Sequence, residues 1–398
     1  MTGAAPEAGE EASPSARDAT RAASVAGPLV QLPEDRVAVE WWLTRRAIEG
    51  GGEMPYGLEG VLALWPEHRA ETDRWTFGLE LEFSAADTAW VAAELHARGL
   101  CAQPTPATYH GDRVDGFWTV EQDRSVTSVF ETGDGSAPIV VGGEVVSPPL
   151  RDTPETWRQV ATVLDVLQAC GAQVNQHCGL HVHVGVDALS PSARWVSSQP
   201  SPAGTDQPNQ MDRGLVPALS RLAMLAGVCF EDLIFRLASA QGGRHRGQAF
   251  FYRHCRPLER PLRASYESVA ALAEALGKEG AARRAALNLT NVGDPEKDTV
   301  EFRQSNGTLD GRIVQGFCRL CIALVGAARW YPAAALLAPE SLGAHSDEAG
   351  DRHDDPLPLW RFLAAACPDG VSVDAAASLL WLFRRGSWQP SLAALASA

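Results

Sequence analysis

Three short segments of this 398-residue chain place ionisable side chains two residues apart, the spacing that puts them on one face of a β-strand. In Phe77-Gly78-Leu79-Glu80-Leu81-Glu82-Phe83, Glu80 and Glu82 share one face while Phe77, Leu79, Leu81 and Phe83 share the other. Leu180-His181-Val182-His183-Val184 does the same with two imidazoles, and Val300-Glu301-Phe302-Arg303 with an acid and a guanidinium. Glu144, in Gly142-Gly143-Glu144-Val145-Val146-Ser147-Pro148, and Asn288, between Leu287 and Leu289, add two more polar groups opposed to aliphatic ones. If these strands share a sheet, four carboxylates converge. Unit charges about 4 Å apart repel by about 4 kcal/mol at an effective dielectric of roughly 20, so such a cluster calls for protons or cations. Carboxylates with one or two imidazoles suit Mg2+ or Mn2+ better than zinc, and Arg303 beside Glu301 suits a phosphate oxygen. The simpler reading of each pair alone is the solvated face of an antiparallel sheet. Three pairs on separate strands, with Glu144, favour a site.

The elements that must position these groups follow from periodicity. Strands are predicted near 75-83, 116-122, 138-146, 179-186, 284-290 and 299-304, with helices near 86-99, 154-170, 212-240, 264-277 and 310-328, an α+β pattern. Residues 1-34 read as a disordered tail and 35-73 as an N-terminal helical segment with a helix over Arg36-Ile48. The core domain is expected over 74-330, followed by a linker and C-terminal helices near 357-367 and 373-385 in 331-398. Ser197 to Asp212, rich in Ser, Pro and Gln, is expected to form a loop over one end of the sheet.

Composition excludes several classes. With 45% hydrophobic residues the chain can bury a full core, and a formal charge of -15 argues against nucleic acid or an anionic membrane as partner. No apolar run reaches the ~18 residues of a membrane span, and the expected location is cytoplasmic. Only Lys278 and Lys297 are lysines, neither in a P-loop or Schiff-base context, so phosphate here must be held by arginine, metal or backbone. Cys318 and Cys321 have CxxC spacing within a helical pattern and are read as core packing. His177 and His254 are read as structural.

Taken in order, Phe77 to Phe83, Gly143-Glu144-Val145-Val146-Ser147-Pro148-Pro149, Cys178 to Gly185, Asn288-Leu289, Thr299 to Arg303 and Gly307-Thr308-Leu309-Asp310 resemble the amidoligase family of the carboxylate-amine ligase superfamily, which includes glutamine synthetase and glutamate-cysteine ligase. The resemblance spans roughly residues 74 to 330. It implies a curved, mainly antiparallel sheet with helices on its convex face, and a concave face holding ATP and two or three Mg2+ or Mn2+ ions. By that resemblance Glu80 and Glu82 ligate different metals, Glu144 joins the Glu82 metal, and His181 and Glu301 join the Glu80 metal. Arg303 would contact the transferring phosphate and His183 the nucleotide phosphate, with Asn288 beside them. Asp123 matches an Asp-x-Ser element, with Arg124 where the family carries a small residue. Arg244 and Arg253 resemble a substrate-binding region, although Arg253-His254-Cys255 departs from its Arg...Tyr-Cys pattern. The implied activity is ATP-dependent joining of a small-molecule or peptide carboxylate to an amine through an acyl phosphate. Two alternatives stand beside it: a metal-dependent hydrolase, in which His181-Val182-His183 is the HxH of a barrel, and a catalytically silent ligand-binding protein.

Overall fold

The structure is a computed structural model that describes residues 75-108, 111, 113-123, 125-126, 128-130, 139-175, 177-189, 210-239, 255, 258, 262, 266-277, 282-295, 297-330, 379 and 382. The expected tail, the 35-73 segment, most of the 197-212 loop, and the C-terminal linker and helices apart from Leu379 and Leu382 lie outside the described residues. Seven strands form one open sheet: β1 Phe77–Asp87, β2 Thr119–Glu121, β3 Ser128–Phe130, β4 Ile139–Val146, β5 Gly179–Gly185, β6 Leu287–Asn288 and β7 Thr299–Asn306. The order is β2-β4-β1-β5-β7-β6, with β3 also pairing β4, and every pairing between these strands is antiparallel. Six helices accompany it among the described residues: α1 Thr88–Ala97, α2 Pro154–Ala169, α3 Gln210–Met224, α4 Glu231–Ser239, α5 Val269–Leu276 and α6 Gly311–Trp330. The fold is therefore α+β, as the periodicity predicts.

Register converts the alternation in the sequence into two continuous layers. On one face Val120 lies opposite Val145, Val145 opposite Leu81, and Leu81 opposite Leu180; Leu79, Val182, Phe302 and Leu287 line up in the same way. These side chains are buried in the main hydrophobic core with Leu164, Leu167, Phe317 and Leu324 of α2 and α6. Trp157 of α2 stacks on Phe77 with ring centroids 5.6 Å apart, and its Nε1 donates to Asp152 at 2.5 Å. Cys318 and Cys321 are wholly buried in this core, where burial pushes both thiols well above their ordinary range, so the CxxC spacing serves packing.

The observed elements differ from the periodicity in ways that have local causes. The first helix begins at Thr88 rather than 86, because Asp87 is its N-cap and accepts from the amide of Ala89. The strand expected over 284-290 shrinks to Leu287–Asn288, since the Asn288 side chain accepts from the amide of Thr290 and turns the chain. The helix expected over 212-240 is split by a π-turn at Leu225–Cys229, where a Cβ on Gly227 would lie 3.2 Å from Leu258. Strand β3 was not visible as a periodic segment. No helix among the described residues is long and apolar enough to cross a membrane.

Gly143 is where β2 and β4 come closest to collision: a Cβ there would lie 2.3 Å from the carbonyl oxygen of Glu121. Gly143→Ala is expected to push the strands apart and lower stability by roughly 1–3 kcal/mol in urea unfolding. An unchanged midpoint would show that this pairing does not carry the strand.

Candidate functional site

The face of the sheet away from the core carries the polar partners of those apolar rows. Glu121 lies opposite Glu144 and Glu144 opposite Glu82; Glu80 lies opposite His181; His183 lies opposite Glu301, which lies opposite Asn288. Because β1 is flanked by β4 on one side and β5 on the other, its two acids look toward different neighbours. Glu82, Asp123 and Glu144 form one group whose ligand atoms lie within 4.8 Å of one another, and Glu80, His183 and Glu301 form a second. His181 stands between them: its Nδ1 is 2.9 Å from Glu80 and 3.7 Å from Glu301, and its Nε2 is 3.8 Å from Glu82.

Local backbone features hold each group. Gly179 donates its amide to Glu82 at 2.5 Å, and a Cβ on it would meet the His181 ring at 2.8 Å, so only glycine leaves the ring its place. Asp123 accepts from the amide of Ser125 at 2.7 Å, a local turn that fixes its carboxylate. Asn288 donates to Glu301 at 2.6 Å. The β5-β7 register slips between Leu180 and Val182, so that Arg303 and Gln304 together oppose His181. Such a bulge re-aims a side chain, and here the Arg303 guanidinium meets Glu301 and comes within 3.5 Å of His181.

The electrostatics are those of negative charge taken out of water. Burial, reinforced by Asp123 and opposed by His181 and the Gly179 amide, pushes the Glu82 carboxyl up to about 6. Burial and then the charges of Glu80, Asp123, Glu82 and Glu121 push Glu144 well above the ordinary carboxylate range. In the other group, burial also works against ionisation of Glu80, but the His183 charge and the His181 hydrogen bond outweigh it and hold Glu80 well below that range. Glu301 is likewise held low, against burial, by Arg303 and His183. For His183 burial favours the neutral ring, and the neighbouring Glu80 charge overrides it to raise the imidazole.

These residues fit divalent cations. The donors are carboxylate oxygens and imidazole nitrogen, the set that suits Mg2+ or Mn2+. His183 supplies the specific sign: its Nδ1 lies 3.2 Å from the Thr299 hydroxyl, and its buried Nε2 lies 3.1 Å from Glu80 Oε1. A ring oriented through one nitrogen, with the other aimed among carboxylates, is how a ligating histidine is held. Glu80, Glu82, Glu144, His181, His183, Asn288, Glu301, Arg303 and Asp123 thus come together on one face. Arg244 and Arg253 lie outside the described residues.

Two further residues belong to this face and were not singled out in the sequence. Glu121 is wholly buried and pairs with Arg113, whose Nε donates to Glu121 Oε1 at 2.7 Å. The alternation Thr119-Val120-Glu121 carried a signal for Glu121, since it repeats the apolar-polar rhythm of the other strands. Nothing local marked Arg113, which reaches the face because its loop folds back along β2.

Residues 73–197 match the family model described as "Putative amidoligase enzyme". No curated protein matches the chain. The matched interval holds Glu80, Glu82, Asp123, Glu144, His181 and His183; the sheet adds Asn288, Glu301 and Arg303 from beyond it.

Protons and a bound cation would compete for the Glu82 group, which gives a pH test. A carboxyl raised on folding from 4.5 to about 6 stabilises the metal-free protein below the unfolded value, and that stability is lost as pH rises through the folded one. The metal-free thermal midpoint is therefore expected to be drawn down by this group across that window. Mn2+ affinity, measured by calorimetry, should rise roughly fourfold from pH 5.5 to 7.5 through Glu82 alone, and further through Glu144. Affinity that falls with pH would contradict the assignment, and Glu82→Gln should weaken binding at one group while sparing the other.

Proposed function

We propose that this chain is an ATP-dependent carboxylate-amine ligase that forms an amide or peptide-like bond through an acyl phosphate. The observation that carries the reading is the pair of ligand groups divided by β1, with Arg303 beside one of them, in a chain whose residues 73–197 match an amidoligase model. In this reading Glu80, His183 and Glu301 hold one Mg2+ or Mn2+ ion, His183 taking the place that the resemblance gives to His181, and Glu82, Asp123 and Glu144 hold another, with His181 between them. Ions so held would offset the charge that develops in phosphoryl transfer.

The chain's own groups have separable tasks. Arg303 stays charged at any working pH: burial opposes its charge, but Glu301, Glu80 and Glu82 outweigh it and raise the guanidinium further. It is the cation placed to meet a phosphoryl group passing between the clusters. Thr299 orients His183 and Asn288 steadies Glu301, so both ligands are set before any substrate arrives. In the reaction, the bond from the terminal phosphorus to the ADP oxygen breaks as one forms to the carboxylate oxygen. The amine, freed of its ammonium proton by a base, then attacks the acyl carbon, gives up a second proton and displaces inorganic phosphate.

The hydrolase alternative requires HxH on a strand of a parallel barrel, whereas His181 and His183 lie on the central strand β5, paired antiparallel with β1 and β7. The geometry gives it no support. Incubation with Mg2+, ATP and pooled carboxylates and amines is expected to release ADP. Arg303→Ala should reduce that release by roughly 10³-fold or more with the circular dichroism spectrum retained, and Arg303→Lys should not restore it. Nucleotide-independent hydrolysis with tightly bound zinc would favour the hydrolase, and no ATP binding the silent protein.

A further inference from the structure

The bulge in β7 turns two side chains toward the polar face, and only one of them has been given a task. Phe302 packs in the core, and Ser305, three residues on, is wholly buried, lies opposite Leu180 and donates its hydroxyl to the Ala238 carbonyl of α4. Strict alternation would put residues three apart on opposite faces. Both point to the core because Arg303 and Gln304 together oppose His181, which places the two side chains between them on the other face. Gln304 is 1% exposed, and its Oε1 is a buried acceptor with no hydrogen-bond partner. A buried acceptor without a donor is costly, and each one in a folded protein calls for a cause.

A cation in the adjoining group supplies one. The Arg303 guanidinium rests on Glu301, Nη1 donating to Oε1, while Oε2 of the same carboxylate accepts from Asn288 at 2.6 Å. Glu301 is also one of the three residues of the Glu80, His183 and Glu301 group. A divalent ion there would bring a second positive charge to the carboxylate that holds Arg303, and the two cations would repel. Displaced from Glu301, a guanidinium whose side chain is only 15% exposed needs another acceptor. Gln304 follows it directly in sequence and faces the same histidine. Its oxygen is neutral, so it can hold a guanidinium without adding to the repulsion among the carboxylates.

We propose that Gln304 is a positioning residue for Arg303: when a divalent ion occupies the Glu80, His183 and Glu301 group, the guanidinium exchanges Glu301 for the Gln304 side-chain oxygen. This rests on the metal-binding part of the ligase reading above. One hydrogen bond is traded for another, so Glu301 is released to the ion and Arg303 stays held on the polar face, where it meets phosphate. Without the Gln304 oxygen, an ion entering the group either shares Glu301 with the guanidinium or strands it, and binds more weakly.

Gln304→Met removes the acceptor and keeps the length of the side chain. Mn2+ binding to the full-length chain is measured by calorimetry, at the class of site that Glu80→Gln weakens. Gln304→Met is expected to lower that affinity by roughly tenfold or more, the worth of a hydrogen bond to a charged group. In an Arg303→Met background the same substitution should change it by less than about twofold, because no guanidinium remains to be rehoused. Equal losses in both backgrounds would mark Gln304 as a ligand or as packing and overturn the exchange, as would wild-type affinity in Gln304→Met. Should that variant fold poorly, a crystal structure of the wild-type chain with Mn2+ reads the exchange directly. Arg303 on Gln304 supports it, and Arg303 still on Glu301 beside a bound ion refutes it. ADP release separates the two readings: coupling between Gln304 and Arg303 with no release under any acid and amine sinks the ligase reading, release without coupling sinks the exchange alone, and absence of Mn2+ binding sinks both.

Discussion

The repulsion among carboxylates buried on one sheet face is the constraint around which this molecule is arranged. Glu82, Glu121, Glu144 and Glu301 are each buried, and Glu80 and Asp123 join them, against two guanidiniums, Arg113 and Arg303, among the described residues of that face. Such a set cannot be fully ionised without further positive charge. The two groups meet the problem differently. Around Glu80 and Glu301 the His183 imidazole and Arg303 supply positive charge, and both acids are held low. Around Glu82 and Glu144 burial is answered by backbone and by protons, and both acids are raised. The second group is therefore the one whose charge state a bound cation would change most.

That division originates in a property of a single strand. Glu80 and Glu82 share a face by the period of two, but each takes its neighbours from the strands beside it. Glu82 faces Glu144 of β4, and Glu80 faces His181 of β5. An ExE pair on an edge strand would have neighbours on one side only. Placed on β1, third in the order, it distributes its two acids between two groups.

The alternating segments were legible in the sequence because each is half-buried in an antiparallel sheet, the setting in which side-chain polarity reports facing directly. Facing, however, is not partnership. That Glu80, Glu82, Glu144 and Glu301 share a face follows from alternation; that His183 groups with Glu80 and Glu301 depends on register and on the Thr299 contact, which no spacing encodes. The bulge that aims Arg303 is similarly a two-strand property. Asp87 and Asn288 mark where helix α1 begins and strand β6 ends, signals of a single side chain that a periodicity search over longer windows passes over. Arg113 had no sequence signal because its role arises from a loop returning to β2.

A face so charged could not stabilise the fold, and it does not have to. The opposite side of each strand contributes Leu79, Leu81, Val145, Leu180, Val182 and Phe302 to a continuous apolar layer against the helices, each almost completely buried. At roughly 1.5–3 kcal/mol per fully buried large aliphatic or aromatic side chain, that layer outweighs the repulsion estimated for any single carboxylate pair across the sheet. Alternation thus separates the two demands residue by residue: odd positions of β1 secure the sheet, and even positions remain free to be electrostatically unfavourable until something positive arrives. The same separation explains why the site can sit in the middle of the sheet instead of on loops. The strands that hold it are fixed from the other side, so its carboxylates and imidazoles are positioned by a sheet packed on the core.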